Sequence, residues 1–341
     1  MRSDSHDLQR RRRLVLGLAV VTPLLLAGGL AAGSEGWSIA ELVRLVGSAE
    51  GELIVGRIRA PRTLGAWLTG ALLGLAGAIA QGLFRNPLAD PYLLGSASGA
   101  SLGVVLVLAG SALGGHAIGL ATAGAMARVG LVAAAFAGAL LGVSLTLALA
   151  RGAQQTTRLL LAGVVVGVVL GAVSEMLTAA APEALRGRQA FMLGSTGFLG
   201  WGGCAALALG LLLTLPPGWR LARALDALTL GADSAESLGL ALPRVRVALV
   251  GALALATALA VSQAGLIAFV GLLAPHVVRR LAPAAHGFTL VASAAVGAAL
   301  LLGADVIARS VIAPQEVPVG VLTALLGGGY LLWLLRRPGG A

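Results

Sequence analysis

QGLFRNPLADPYLLGSASG, residues 81–99, separates two long apolar stretches with two prolines (Pro87, Pro91), an arginine, an asparagine and an aspartate. Proline removes a backbone donor and disfavours helix at the residue before it, and charged groups are expensive in hydrocarbon. The chain must leave the apolar phase here and re-enter it within a few residues, so the stretch is a short turn between two membrane helices and no domain of its own. Working outward with about 20 apolar residues per crossing, the sequence predicts ten spans: 14–32, 62–82, 93–113, 128–150, 157–180, 196–215, 244–263, 266–282, 288–306 and 318–336. Runs such as LLLAGVVVGVVLGAV lack the alternation of a transmembrane barrel, so the spans are helices.

Composition agrees: 58% hydrophobic and 11% charged over 341 residues lies outside the range of soluble globular chains. All 24 basic residues are arginine. A lysine-dependent phosphate loop of the form GxxxxGK[ST] cannot exist here, so any ATP that drives the protein is bound by another chain. The net charge of +10 is read by membrane side and implies no nucleic acid. With the N-terminus in the cytoplasm, 16 of the 24 arginines fall inside and 8 outside, which predicts both termini cytoplasmic. The basic head and apolar run at 10–34 also fit a signal peptide, but removing them leaves nine spans and upsets the charge distribution. Cys204, the single cysteine, can form no internal disulfide and is assigned to packing.

Small residues recur at helix-packing spacing: Gly70 and Gly74; Gly95, Gly99 and Gly103; Gly138 and Gly142; Gly163, Gly167 and Gly171. Two connections are long. Residues 33–61 contain WSIAELVRLV, whose Ile39, Leu42, Val43 and Val46 suit an interfacial helix. Residues 217–243 read as two short helices broken at Gly231, with Asp233 or Ser234 as N-cap and Gly239 as the C-terminal stop. His276, without neighbouring ligands, forms no metal site and is assigned a structural or helix-end role. Asp305 and Arg309 are spaced as an i,i+4 pair. Glu175, within the fifth span, either lines a cavity or snorkels and caps locally. No nucleophile, acid pair or base forms a catalytic constellation.

The turn at 81–99 is similar to the segment joining the second and third membrane helices of the iron-chelate, haem and cobalamin permeases, the membrane subunits of type II ABC importers. RIRAPRTLGAWLTGALLGLAGAIAQ (57–81), TTRLLLAGV (156–164), FMLGSTGFLGW (191–201), ALTLGADSAESLGL (227–240), GLIAFVGLLAPHVVRRL (265–281), LLLGADVIARSVIAPQEVPVG (300–320) and LTALLGGGYLLWLLRR (322–337) resemble the same family in order and spacing. GGGY at 327–330 departs from it, where many relatives carry proline and bulkier residues.

The resemblance implies an all-α polytopic membrane protein of the type II ABC importer permease fold, with about ten transmembrane helices and one domain over 1–341. It also implies a homodimer in the bacterial inner membrane, served by two ABC ATPase subunits and one periplasmic or lipid-anchored binding protein. This chain would be no enzyme and bind no cofactor, with ATP and Mg held by the ATPase. By resemblance, Asn86, Leu88, Thr156 and Thr157 form the cytoplasmic gate. Leu228, Gly231, Asp233, Glu236, Leu238 and Gly239 would couple to the ATPase, and Arg59, Arg62 and Arg309 would dock the binding protein. The expected cargo is a large metal chelate, first a ferric siderophore, with haem or cobalamin as alternatives. An ion-coupled secondary transporter is the reading of another class, for which only Glu175 and Asp305 offer intramembrane carboxylates.

Overall fold

The computed structural model describes residues 2–33, 36–37, 48–114, 124–150 and 155–336. The expected interfacial helix at Ile39, Leu42, Val43 and Val46 lies outside the described residues. The described chain is helical apart from a two-residue antiparallel pairing of β1 (Ala32–Gly33) with β2 (Gly36–Trp37) and the connecting turns. The helices are α1 (Arg2–Ala31), α2 (Ala60–Phe84), α3 (Ser96–Leu113), α4 (Ala125–Leu149), α5 (Thr156–Ala180), α6 (Glu183–Leu193) and α7 (Trp201–Arg220). They continue with α8 (Ala222–Thr229), α9 (Ala232–Ser237), α10 (Leu242–Ala264), α11 (Val270–Leu281), α12 (His286–Ser310) and α13 (Val319–Leu335).

Among the described residues, eight helical stretches are long and apolar enough to cross a membrane, α1 through α5, α7, α10 and α12, and α13 is a shorter apolar helix. The eighth expected span, 266–282, is corrected. Its helical part, α11, has 12 residues, about 18 Å, too short for a hydrocarbon core of about 30 Å. The missing length is the irregular segment 265–269, with Gly265 and Phe269 both at positive φ. Such backbone survives at membrane depth only where protein covers it and supplies hydrogen bonds. Here the Leu266 N–H donates to Phe191 O at 3.0 Å, the Ser195 N–H donates to Ala264 O at 2.8 Å, and Ile267 is buried.

Three further boundaries shift. The sixth span begins five residues later than expected and runs through Pro216 and Pro217 to Arg220. The expected loop at 181–195 holds a short helix, α6, with Ala184, Gly187 and Phe191 inward. The end of the 33–61 connection is π-helical over Glu52–Arg59 and feeds α2 without a break.

The stretch ending in α2 is the most enclosed, 89% of its apolar window being buried against 17% for α1. Glycine makes this enclosure possible. A Cβ on Gly70 or Gly74 would overlap the backbone of Gly297 or Ser293, so α2 and α12 cross in direct backbone contact; Gly99 and Gly103 serve the α3–α4 crossing in the same way. Gly163 sits against Leu93 O, whereas a Cβ at Gly171 would meet no described residue within 4 Å. The departure at GGGY is accommodated by packing: a Cβ at Gly327 would overlap the Phe269 side chain, and Tyr330 meets the His276 ring edge-on at 5.7 Å. His276 is thus an interior packing residue of α11 with no helix-end role.

Candidate functional site

The helices alternate in direction, so the N-termini of α1, α3, α5 and α12 share one end of the bundle with the C-termini of α2, α7 and α11. At that end the turn at 85–95 is built by capping. Arg85 takes the left-handed conformation (φ 49) that closes α2, its N–H donating to Gly82 O and that of Asn86 to Gln81 O. Asn86 Oδ1 accepts from the Leu88 N–H at 2.9 Å and Asp90 Oδ1 from the Tyr92 N–H at 2.8 Å, giving two Asx turns in succession. Burial pushes the Asp90 carboxyl above its ordinary range, the Tyr92 N–H offsetting part of the shift. Leu88 is left 58% exposed while Ala89 and Leu94 enter the apolar cluster that holds Leu159 and Ala162 of α5. The expected gate residues therefore share one end: Asn86 and Thr157 are exposed and Thr156 is half-buried in the first turn of α5.

One face of α5 packs inward through Leu159, Ala162, Val166, Leu170 and Ser174. The other carries Thr157, Leu161, Val164, Val165, Val168, Val169 and Glu175, all exposed. Thr157 and Glu175 are 18 residues apart, five turns and about 27 Å, and so point the same way from opposite ends of this uncovered face. Glu175 is paired with Arg188 of α6 at 2.6 Å.

Beside the turn, α8 and α9 form the expected helix pair, joined at Gly231 (φ 109). Leu225 and Leu228 anchor α8 in the cluster with Ile79, Leu83 and Leu290, so Leu228 faces the bundle. The N-cap expectation is corrected: Gly231 occupies that position without a side-chain bond, leaving Asp233 and Ser234 in the first turn. Gly239 (φ 83) ends α9 as expected, its N–H donating to Glu236 O and that of Leu240 to Ala235 O. Asp233, Glu236 and Leu238 face outward, and Leu230 and Leu238 are 68% and 66% exposed.

At the opposite end, Asp305 has no exposed surface. It accepts from Arg62 at 3.1 Å, from Arg309 at 2.6 Å and from the Thr196 hydroxyl. Arg62 also donates to Glu316 at 2.7 Å. Burial favours the neutral Glu316 carboxyl, but the Arg62 hydrogen bond and the charges of Arg62 and Arg309 outweigh it and hold this carboxyl below its usual range. Arg309 donates to Gly29 O at 3.0 Å and Arg59 to Leu30 O at 3.2 Å, satisfying two orphan carbonyls at the end of α1. The expected i,i+4 pair is present. The three arginines expected as outward docking charges instead turn inward, because Asp305 and the α1 carbonyls claim their guanidinium groups.

With this geometry the chain can be compared with known proteins. The profile of the FecCD transport family matches residues 20–337. The chain belongs to the FecCD transport family. The vitamin B12 import system permease protein BtuC of Klebsiella pneumoniae is 38% identical over 98% of this chain and 97% of its own length. The hemin transport system permease protein HmuU of Yersinia pestis is 39% identical over 82% of each chain. A solved metal-chelate type ABC transporter in an inward-facing conformation superposes with a TM-score of 0.81 at 25% identity, over 96% of this chain and all of that one. This FecCD-family chain thus has the type II ABC importer permease fold expected for it.

Two polar links in this family member were missed from sequence. Asp226 of α8 accepts from both the backbone N–H and Nδ1 of His286 at the start of α12, at 2.9 and 2.6 Å. Buried Gln81 donates to Leu272 O at 3.1 Å and accepts from Arg279 at 2.5 Å. A lone glutamine in an apolar span is a signal that could have found the second; His286 and Asp226 carry no local signal.

Proposed function

We propose that this chain is the membrane-spanning permease subunit of an ATP-driven, binding-protein-dependent importer, working as a homodimer with both termini cytoplasmic. The observation that carries the reading is the α8–α9 pair, anchored on the central helices by Leu225 and Leu228 while presenting Leu230 and Leu238 outward. Apolar side chains held on a rigid platform fit a protein partner, and a chain without a phosphate loop needs one that binds ATP and Mg. The uncovered α5 face, with its sparse charge, suits a weakly binding pathway wall between two copies. The binding protein engages the Arg59, Arg62 and Arg309 end, its carboxylates competing with Glu316 for Arg62.

For cargo, the two relatives named above favour a cobalamin, with haem next, over the ferric siderophore first expected, since one is named for vitamin B12 import and the other for hemin transport. The test is uptake into proteoliposomes holding the permease and its ATPase, with cyanocobalamin, haemin or a ferric siderophore presented on the binding protein. Uptake of cyanocobalamin that requires ATP supports the proposal. Uptake of the siderophore alone overturns the cargo, and uptake driven by an ion gradient without the ATPase overturns the class in favour of a secondary transporter.

A further inference from the structure

A concave surface lies apart from the gate, the coupling loop and the Asp305 cluster. Between α1 and the α11–α12 pair runs a groove of about 570 Å³. On one wall are Arg10, Arg13 and Gly17, and on the other Leu281, Val296 and Leu300; among the described residues no carboxylate lines it. The spacing of Arg10 and Arg13 puts both guanidinium groups on one helix face, and Gly17 lies one turn further along it. A Cβ at Gly17 would meet nothing within 4 Å, so the groove is open there.

The four successive arginines are divided in their tasks. Arg11 pins α1 to the turn before α12, donating to Pro283 O at 3.3 Å and lying 5.8 Å from the Phe288 ring centre. Arg12 is exposed and does not line the groove. Arg10 and Arg13 stand at its mouth. From Arg10 the lining continues to Leu25, about 22 Å along the helix, which exceeds the half-thickness of a bilayer core, about 15 Å. An occupant must therefore carry a negative head at the membrane surface and a long apolar tail directed inward. We infer that this groove is a binding site for an anionic diacyl phospholipid, its phosphate between Arg10 and Arg13 and one acyl chain along Gly17 and Leu300. A zwitterionic lipid brings a cation to the same guanidinium groups, and a soluble phosphate leaves the apolar length empty.

The test uses the purified full-length chain, stripped of lipid in detergent and titrated with dioleoyl phosphatidylglycerol while its thermal unfolding midpoint is followed. Phosphatidylglycerol is expected to raise the midpoint, and dioleoyl phosphatidylcholine to leave it unchanged. Arg10→Gln with Arg13→Gln should weaken the apparent affinity at least tenfold. Gly17→Phe, which fills the open part of the groove, should do the same, whereas Arg12→Gln removes one charge outside the groove and should have little effect. The site is overturned if Arg12→Gln weakens binding as much as the double variant, if Gly17→Phe leaves it intact, or if phosphatidylcholine or inorganic phosphate gives the same shift. It is also overturned if Gly17→Cys, in a Cys204→Ser background, forms a disulfide between two copies in the membrane, since a second protein chain then covers the groove.

Discussion

Asp305 illustrates what one residue can organise. Its carboxylate, with no exposed surface, holds guanidinium groups from α2 and α12; Arg62 has Glu316 as a second partner, whereas Arg309 depends on Asp305 as its paired carboxylate. Removing one partner of such a group is strongly unfavourable, so Asp305→Ala is expected to destabilise the protein by about 3–5 kcal/mol, read as thermal unfolding in detergent. Replacing Asp305 by Leu together with Arg309 by Met should recover part of this loss. Recovery stays incomplete because Gly29 O then loses its donor. Glu316 adds a pH dependence whose sign is fixed. Its pKa is lowered in the folded protein, so its stabilising contribution is complete above the ordinary glutamate range, near pH 4.3, and disappears as pH falls through the lowered value. Hydrogen exchange in 311–318 should rise on acidification below about pH 4, and Glu316→Gln should abolish that rise.

At the scale of elements, α8 differs from α9 in what holds it. The α8 helix is bound to the body by a buried apolar face and by Asp226, which accepts from the first N–H of α12 and so caps that helix from another element. In the proposed coupling role, a push on α8 would reach α12 through this bond and α2 through the glycine crossing. Asp226→Ala is expected to lower substrate transported per ATP hydrolysed several-fold without loss of the assembled complex. Asp226→Asn, whose carbonyl oxygen still accepts both bonds, should keep most of the coupling. Equal loss in the two variants would show that charge, and not the hydrogen bonds, matters. Leu228 and Leu238 separate anchoring from docking. Leu228→Ala, at 3% exposure, should cost about 2–5 kcal/mol, while Glu236→Arg with Leu238→Arg should release the ATPase on co-purification and leave the unfolding midpoint unchanged.

For the whole molecule, the alternation of helices collects Arg10–Arg13, Arg85, Arg158, Arg220, Arg223, Arg244, Arg246, Arg279 and Arg280 at one end. By the positive-inside rule, this asymmetry supports the proposal that the end is cytoplasmic. Gly187 is buried against Leu108 and is a poor labelling site, whereas Gln189 and Ser234 are exposed at opposite ends. In a Cys204→Ser background, Gln189→Cys should react with an impermeant thiol reagent from outside and Ser234→Cys only after permeabilisation. The reverse pattern would invert the molecule in the membrane.

Hydropathy and punctuation made much of this legible. The turn at 81–99, the long spans, the helix pair broken at Gly231 and the Asp305–Arg309 spacing are all local, and partition between lipid and water acts on each residue wherever the chain goes. Tertiary structure alone decided partner choice between distant residues. Arg62 meets Asp305 across 243 positions and Asp226 meets His286 across 60, so no window of sequence contains either pair. The same holds for the half-length α11, since an irregular segment at membrane depth is tolerable only after Phe191 and Ser195 have come to satisfy its backbone. The expected span limits put Arg59, Arg62 and Arg309 at one end, where the structure also has them. Their inward direction followed from a buried carboxylate and two orphan helix carbonyls, which exist as acceptors there only once α1, α2 and α12 are packed together.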